Sequence, residues 1–410
     1  MILVAGYLLT MLNSLGACQP EGSVMVIEEP DIIRNANVEA RTSAHPVVHE
    51  LVPFEYQLEA AADRFYLEHP DLGVTAVIPA VEYAVPFAAR LAERYGVPGA
   101  TLGAAQLLRD KAMLRVASAA AGVLNPASAH VGGPEEVKAF AAEHGCPIIL
   151  KPSNRQGSVG TRIVRDASEI DAAWIAATSQ DEGKVVPDRG LPMHMLAEEF
   201  VAGEEFSVEM LVRDGVNEFA NITGKILYPG PQPVELGHVI PGDLPQDVAA
   251  EMIAATERVV TATGFRSGVL HCEWIVRDGQ PYLVECAGRM PGDGIVDLVK
   301  NSWPIDFVPR YAQIMLGQPS EPAPEGPARA GVTWFLHTEA GEVESITGLD
   351  EAKSVEHVYF AAVSVKPGDT TRELRNSWDR VGQIFAFAVS VPEALDAAQA
   401  AAGKIVIKHK

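Results

Sequence analysis

Cysteine is scarce, with four in 410 residues (Cys18, Cys146, Cys272, Cys286), and these form no Cys-x-x-Cys pair and no metal-ligand spacing. That excludes a disulfide scaffold and a zinc ribbon and makes a reducing, cytoplasmic compartment the expectation. Cys272 and Cys286 fall in apolar, strand-like runs, where a buried inert thiol is expected rather than a nucleophile. Positive charge is also short: 32 Lys and Arg stand against 54 Asp and Glu, for a net charge of -22. Such a chain lacks the basic footprint that a nucleic acid or an anionic membrane requires. Internal repeats, heptads and membrane-spanning apolar runs are missing as well. The apolar opening, residues 1–17, ends in a lipoprotein-like Leu15-Gly16-Ala17-Cys18, but Arg34 is the first basic side chain, so the charged start of an export signal is absent.

What is present reads as a mixed α/β chain. With 48% hydrophobic residues over this length, two or three domains are expected. The opening becomes a strand at 2–5, a glycine turn, a helix to about 15 and a strand at 24–27, the start of a βαβ unit. A buried-type strand at 74–79 and a helix at 85–95 complete an open α/β domain over 1–105. Glu82 lies where such sheets bind ligands, although a carboxylate favoured by a helix N-terminus is the simpler reading. Next come an alanine-rich helix over 106–121, carrying Asp110, Lys111 and Arg115, and helices at 134–144 and 167–177. The polar stretch 178–190 shows no periodicity.

The chemistry is concentrated further along. Ile148, Ile149 and Leu150 form a short buried strand that ends at Lys151-Pro152 and enters a small, polar, glycine-containing loop over 153–161. A lysine leaving a strand beside backbone N–H donors suits a triphosphate, yet no Walker Gly-Lys-Ser/Thr follows. Downstream, alternating segments at 270–276 and 281–285 flank Asp278-Gly279, a hairpin signature that puts Glu273 and Glu285 on its two arms, with Arg289 just beyond. Paired carboxylates on adjacent strands hold hard divalent ions that bridge phosphate oxygens. Between these motifs run two strands over 195–210, interrupted at Ala202-Gly203, in which Glu198, Val201 and Glu205 are spaced to meet a purine and a ribose. A strand at 221–228 with Lys225, a proline-rich turn, Glu235-Leu236-Gly237-His238 and an amphipathic helix at 245–263 complete the region.

Taken in order, Asp110-Lys111, Ile149-Leu150-Lys151-Pro152, the loop, Glu198 through Glu209, Glu273 and Glu285-x-x-x-Arg289 resemble the ATP-grasp superfamily, and most closely its L-amino acid ligases of the bacilysin synthetase type. The resemblance implies an ATP-grasp fold with an N-terminal open α/β domain, an ATP-grasp domain over 106–317 with a lid at about 123–200, a proline-rich linker over 318–330 and a small antiparallel C-terminal lobe over 331–410. It implies ATP with Mg2+, or Mn2+, as cofactors. Lys111 and Lys151 would bind phosphates, and Ser153, Gly157, Ser158, Val159 and Gly160 would form the loop over them. Glu198 and Val201 would meet adenine, Glu205 the ribose, and Glu273 and Glu285 the metal. Arg289 would stabilise the acyl-phosphate and the tetrahedral adduct, and Lys225 would reach the γ-phosphate. Glu235 and His238 would line the amino-acid pocket, while Asp293 and Glu82 border it, Asp293 favouring a polar or amine-bearing first substrate.

The implied activity joins two amino acids and releases ADP and phosphate. Ligation of another acid and amine, including γ-glutamyl ligation, or an ATP-dependent carboxylation are the alternatives. Intact Glu273, Glu285 and Arg289 argue against a catalytically dead ATP-binding regulator. Small-molecule amino acids are the expected partners, and homodimers are common in such relatives. Ala287 departs from the many relatives that carry Asn at this place, which leaves the number of metals open. The C-terminal lobe shows no obvious chemistry and is expected to pack beside the site.

Overall fold

Strand β1 (Ile2–Ala5) is buried at every position, because it lies inside a parallel sheet. After it come α1 (Leu9–Gly16), β2 (Val24–Glu28), α2 (Pro30–Asn35), α3 (Val38–Thr42), β3 (Val48–Pro53), α4 (Ala61–Glu68), β4 (Ala76–Pro79) and α5 (Val85–Tyr95). The strand order is β3-β2-β1-β4. The order reverses between β1 and β4, which opens a crevice at their carboxyl ends. Gly6 turns the chain there at φ +87, with its missing Cβ only 2.3 Å from Val81 Cγ2. The coordinates are a computed structural model that describes residues 1–179, 189–190, 192–229 and 234–410. Most of the polar stretch expected over 178–190, and residues 230–233 of the proline-rich turn, lie outside the described residues.

The helix expected over 106–121 is two helices, α6 (Leu102–Arg109) and α7 (Lys111–Ala120). Asp110 between them is extended, and its carboxylate caps α7 by accepting from the N–H groups of Ala112 and Met113. An aspartate inside an alanine-rich run starts a new helix because it competes for backbone donors. Lys111 thereby becomes the first residue of α7, and its N–H donates to Ser153 O at 3.1 Å. The expected domain boundary at 105 falls inside α6.

A second antiparallel sheet, in the order β5-β8-β6-β7, contains β5 (Ser128–Val131), β6 (Ile148–Pro152), β7 (Arg162–Val164) and β8 (Met195–Glu199), with α8 (Pro134–His144) and α9 (Ile170–Thr178) between them in sequence. Val137, Phe140, Ile148, Leu150 and Ile170 form its own core. The two strands expected over 195–210 therefore belong to different sheets, and Val201 to Gly203 is the hinge between them.

The largest sheet begins with β9 (Glu204–Arg213), β10 (Val216–Leu227) and β11 (Glu235–Ile240), continues after α10 (Gln246–Thr263) with β12 (Gly268–Arg277) and β13 (Gln280–Ala287), and resumes past α11 (Ile295–Ser302) and α12 (Phe307–Met315) with β14 (Ala330–Leu336). Then come β15 (Gly341–Thr347), α13 (Leu349–Lys353), β16 (Val358–Val363), β17 (Thr370–Thr371), β18 (Gly382–Ala388), α14 (Val391–Ala402) and β19 (Val406–His409). The eight-stranded order is β13-β12-β9-β10-β11-β14-β18-β16. The C-terminal lobe thus divides between two sheets: β14, β18 and β16 extend the large sheet, because β14 pairs directly with β11, while β15, β17 and β19 form a three-stranded sheet of their own in the order β17-β15-β19. Period-two alternation sends Phe206, Val208, Met210, Cys272 and Trp274 to one face, where they pack on Met252, Ala255 and Val259 of α10. Ser207, Glu209, Lys225, His271 and Glu273 take the other face. That polar face is the wall of the site.

Candidate active site

A cavity of about 590 Å3 lies between the carboxyl ends of β1 and β4, the second sheet and the polar face of the large sheet. Lys111, Lys151, Gly157, Ser158, Val159, Glu198, Val201, Glu205, Lys225, Glu235, His238, Glu273, Glu285, Arg289, Asp293 and Glu82 all line it. Ser153 and Gly160 do not. Ser153 is fully buried behind the loop, its N–H donating to His194 O at 2.7 Å, and Gly160 is a structural turn at φ +75 where a Cβ would meet Ala177 O at 2.8 Å. Gly157 and Ser158, both at positive φ, form the loop's tip, with Gly157 exposed and Ser158 half-buried.

Glu273 and Glu285 face each other across β12 and β13 in register. Lys225 Nζ lies 2.7 Å from Glu273, and Lys111 Nζ lies 2.8 Å from Glu285. Burial favours a protonated Glu273, but Lys225 and His271 outweigh it and keep the carboxyl well below its usual range. Lys225, itself buried, is raised by Glu273, Glu235 and Glu205. Each carboxylate pairs with a lysine cation, and the two would be the protein ligands of any divalent ion bound here. Among the described residues no three His, Cys, Asp or Glu side chains form a ready metal cage, so phosphate oxygens and water would complete the shell.

A β-bulge between Glu273 and Trp274 breaks the ladder opposite Val284. The Val284 carbonyl accepts from Arg115 Nη2 at 2.6 Å, and Arg115 also reaches Glu198 at 2.9 Å. Glu198 in turn takes Lys151 Nζ at 2.7 Å. Burial lowers the Lys151 pKa, opposed by Glu198. Glu198 lies in β8, flanked by β5 and β6 on both sides. Its carboxylate holds Lys151, and β8 ends one residue later at Glu199, just before the hinge. Glu205 is pushed up to about 7 by burial, with Glu235 and Glu273 adding to the rise against Lys225.

Glu82 is 5% exposed, and its two oxygens accept from Arg109 Nη1 at 2.7 Å and Arg289 Nε at 2.8 Å. Burial opposes its charge, yet Arg109 and Arg289 hold its pKa down to about 2. It is not merely a carboxylate at a helix start. It fixes Arg289, whose Nη1 donates to Met290 O at 2.7 Å. Asp293 corrects a second expectation. Both of its oxygens are held by Arg380, at 2.7 and 3.0 Å, and His238 Nε2 lies 3.4 Å away, so it presents an ion pair to the cavity instead of a bare carboxylate. Arg380 also stacks 3.7 Å over Phe335. With Ser377 and Trp378 it brings the C-terminal lobe into the cavity, where no chemistry was expected of that lobe. Arg109, Arg380 and Trp378 carried no motif. His271 left one trace, a His-x-Glu spacing on a strand that puts it on the same face as Glu273.

The ATP-grasp domain model matches residues 144–297, and L-amino acid ligase C-terminal domain 2 matches residues 334–410. The chain is 24% identical to the uncharacterized protein y4rH of Sinorhizobium fredii, over 90% of this chain and 79% of that protein. It is 25% identical to alanine--anticapsin ligase of Bacillus subtilis, over 72% of this chain and 61% of that protein, so it spans less than two thirds of that relative. Among solved structures, the L-amino acid ligase from Bacillus licheniformis superimposes with a TM-score of 0.80 at 22% identity, covering 100% of this chain and 98% of that one, which shows a shared fold.

Proposed function

Because this chain is an ATP-grasp ligase with an L-amino acid ligase C-terminal domain, we propose that it condenses the carboxylate of one amino acid with the amine of another, consuming ATP and releasing ADP and phosphate. The observation that carries the reading is the polar face of the large sheet. It carries the carboxylate pair, and two phosphate-type lysines from α7 and β6 and an anchored arginine beyond β13 converge with it on one cavity that also receives side chains from the C-terminal lobe.

A carboxylate resists attack by an amine because oxide would have to leave, so phosphorylation must come first. That transfer demands positioning and charge neutralisation more than a protein nucleophile. Glu273 and Glu285 would hold Mg2+, which when bound neutralises phosphate charge. Lys111 and Lys225, now on those carboxylates, would be released by such an ion to face the phosphates. Lys151, aimed by Glu198, and the loop around Gly157 and Ser158 cover the nucleotide and exclude the water that would hydrolyse an acyl-phosphate. Arg289, tethered at Nε by Glu82, faces the oxyanion that develops when the amine attacks. Glu235, His238 and the Asp293–Arg380 pair line the amino-acid end.

The test is ADP and phosphate release from Mg–ATP across pairs of amino acids, with products identified by mass. Release that needs two amino acids, with a product equal to their sum less water, supports the reading. ADP release driven by bicarbonate or a non-amino acid replaces it with another ATP-grasp ligation, and AMP release ends the acyl-phosphate mechanism.

A further inference from the structure

Trp378 lies between β17 and β18, in a single 3-10 turn, Ser377–Asp379. The turn is pinned at both ends. Asn376 Oδ1 accepts from the Trp378 N–H at 2.9 Å, and Asp379 Oδ2 accepts from the N–H groups of Arg375 and Asn376 at 3.0 and 3.2 Å. Arg380 follows, donating through Nε to Ser377 O at 2.9 Å while its other nitrogens hold Asp293. A backbone fixed this firmly carries an indole that is still 57% exposed, although it lines the cavity. A large apolar ring held in water on a rigid support is surface that a moving partner can bury.

The loop after β6 supplies that partner. A Cβ on Gly157, at the loop tip, would stand 3.6 Å from Trp378 Nε1. Burial, and then the charge of Arg375, push down the pKa of Arg162, the first residue of β7, so the segment faces the lid at a second point. On the other side, Ser377 Oγ donates to Glu235 Oε2 at 3.5 Å. Trp378 is therefore bracketed by the loop tip and by the residues of the amino-acid end.

We propose that Trp378 caps the amino-acid end of the cavity: the loop tip closes onto the indole, which bounds the space for the side chain of the incoming amine and bars water from the acyl-phosphate. In the ligation, the amine nitrogen bonds to the acyl carbon as the bond from that carbon to the phosphate oxygen breaks. Phosphate leaves and the amine gives up one proton. Water attacking the same carbon releases free carboxylate and phosphate, so ATP is consumed and no amide is made. A cap at the side-chain end selects a small amine substrate and ties loop closure to coupling.

This inference rests on the dipeptide-ligase reading, and the experiment separates the two. Phosphate and amide product are counted together for the full-length protein, with Mg–ATP and the best pair from a screen of the proteinogenic amino acids. Wild type should give about one phosphate per product, Trp378→Ala about tenfold more, and Trp378→Phe a ratio near wild type. With phenylalanine as the amine, kcat/KM relative to alanine should rise about tenfold in Trp378→Ala. Difference fluorescence between wild type and Trp378→Phe should show the Trp378 emission moving to shorter wavelength as Mg–ADP closes the loop, a readout that needs no amino acid. Unmoved emission with Mg–ADP bound, or a ratio and amine preference unchanged in Trp378→Ala while wild type is active, overturns the cap alone. Wild type that makes no amide from any pair overturns the ligase reading and the cap with it.

Discussion

At the scale of single residues, anchoring separates groups that are merely near the cavity from groups that are aimed. Arg289 is tethered by Glu82 and by the Met290 carbonyl, so its remaining donor capacity is preorganised. Arg289→Ala should lower kcat by about 10²–10³-fold with little change in the KM for ATP, as expected of a donor used chiefly in the transition state; steady-state kinetics read the split. A comparable rise in the KM for ATP instead would move Arg289 to the nucleotide. Glu82 carries a pH signature. Its folded pKa near 2 lies below its ordinary value of 4.5, so its contribution to stability is present above about pH 4.5 and is lost as pH falls toward 2. Urea unfolding of the wild-type protein and Glu82→Gln should therefore differ most near neutrality and converge in acid. Glu285→Gln should abolish turnover at ordinary Mg2+ concentrations, and near wild-type turnover would refute the metal role.

At the scale of elements, the hinge from Val201 to Gly203 joins the lid sheet to the large sheet beside the expected adenine position. A Cβ at Gly203 would lie 2.2 Å from the Val276 carbonyl, so the glycine is required for close approach. Gly203→Ala should destabilise the protein by ~1–3 kcal/mol and weaken nucleotide binding, measured by chemical unfolding and by calorimetry. The loop after β6 is the element expected to close. On addition of Mg–ADP, hydrogen exchange should slow across residues 155–159 while β14 and β18 stay unchanged, since only the former line the proposed phosphate end of the cavity. Much of this scale was legible in the sequence. The helices at 134–144 and 245–263, and the hairpin around Asp278-Gly279, follow from period, caps and turn residues. The split between α6 and α7 was missed because alanine-rich propensity continues straight through Asp110, and only its capping geometry breaks the helix.

At the scale of the whole molecule, the cavity is a meeting of distant parts. Glu82 from the first sheet meets Arg289, some two hundred residues later in the chain, and Arg380 reaches back to Asp293 from the last lobe. Arg380→Ala should raise the KM for an amino acid by about tenfold and leave the KM for ATP unchanged, because it leaves Asp293 without its bidentate partner. Unaltered amino-acid kinetics would restrict Arg380 to holding the lobe in place. The pairing of β14 with β11 joins β14, β18 and β16 of that lobe to the large sheet, and the segment just before β18 carries Arg380 to the cavity.

By itself the sequence determined the class of chemistry. Lys111, Lys151, Glu273, Glu285 and Arg289 lie in local patterns whose spacing fixes strand, loop and face, and local periodicity is what a linear chain encodes directly. It also determined the apolar face of the large sheet, since alternation along each strand needs no knowledge of the neighbours. Only the tertiary structure decided which charges face each other. That Asp293 is taken by Arg380, that Glu82 serves Arg289 and that Lys225 meets Glu273 all depend on strand register and on packing between segments remote in sequence. Electrostatic partnership is set by distance in space and by burial, and neither is written in the order of residues.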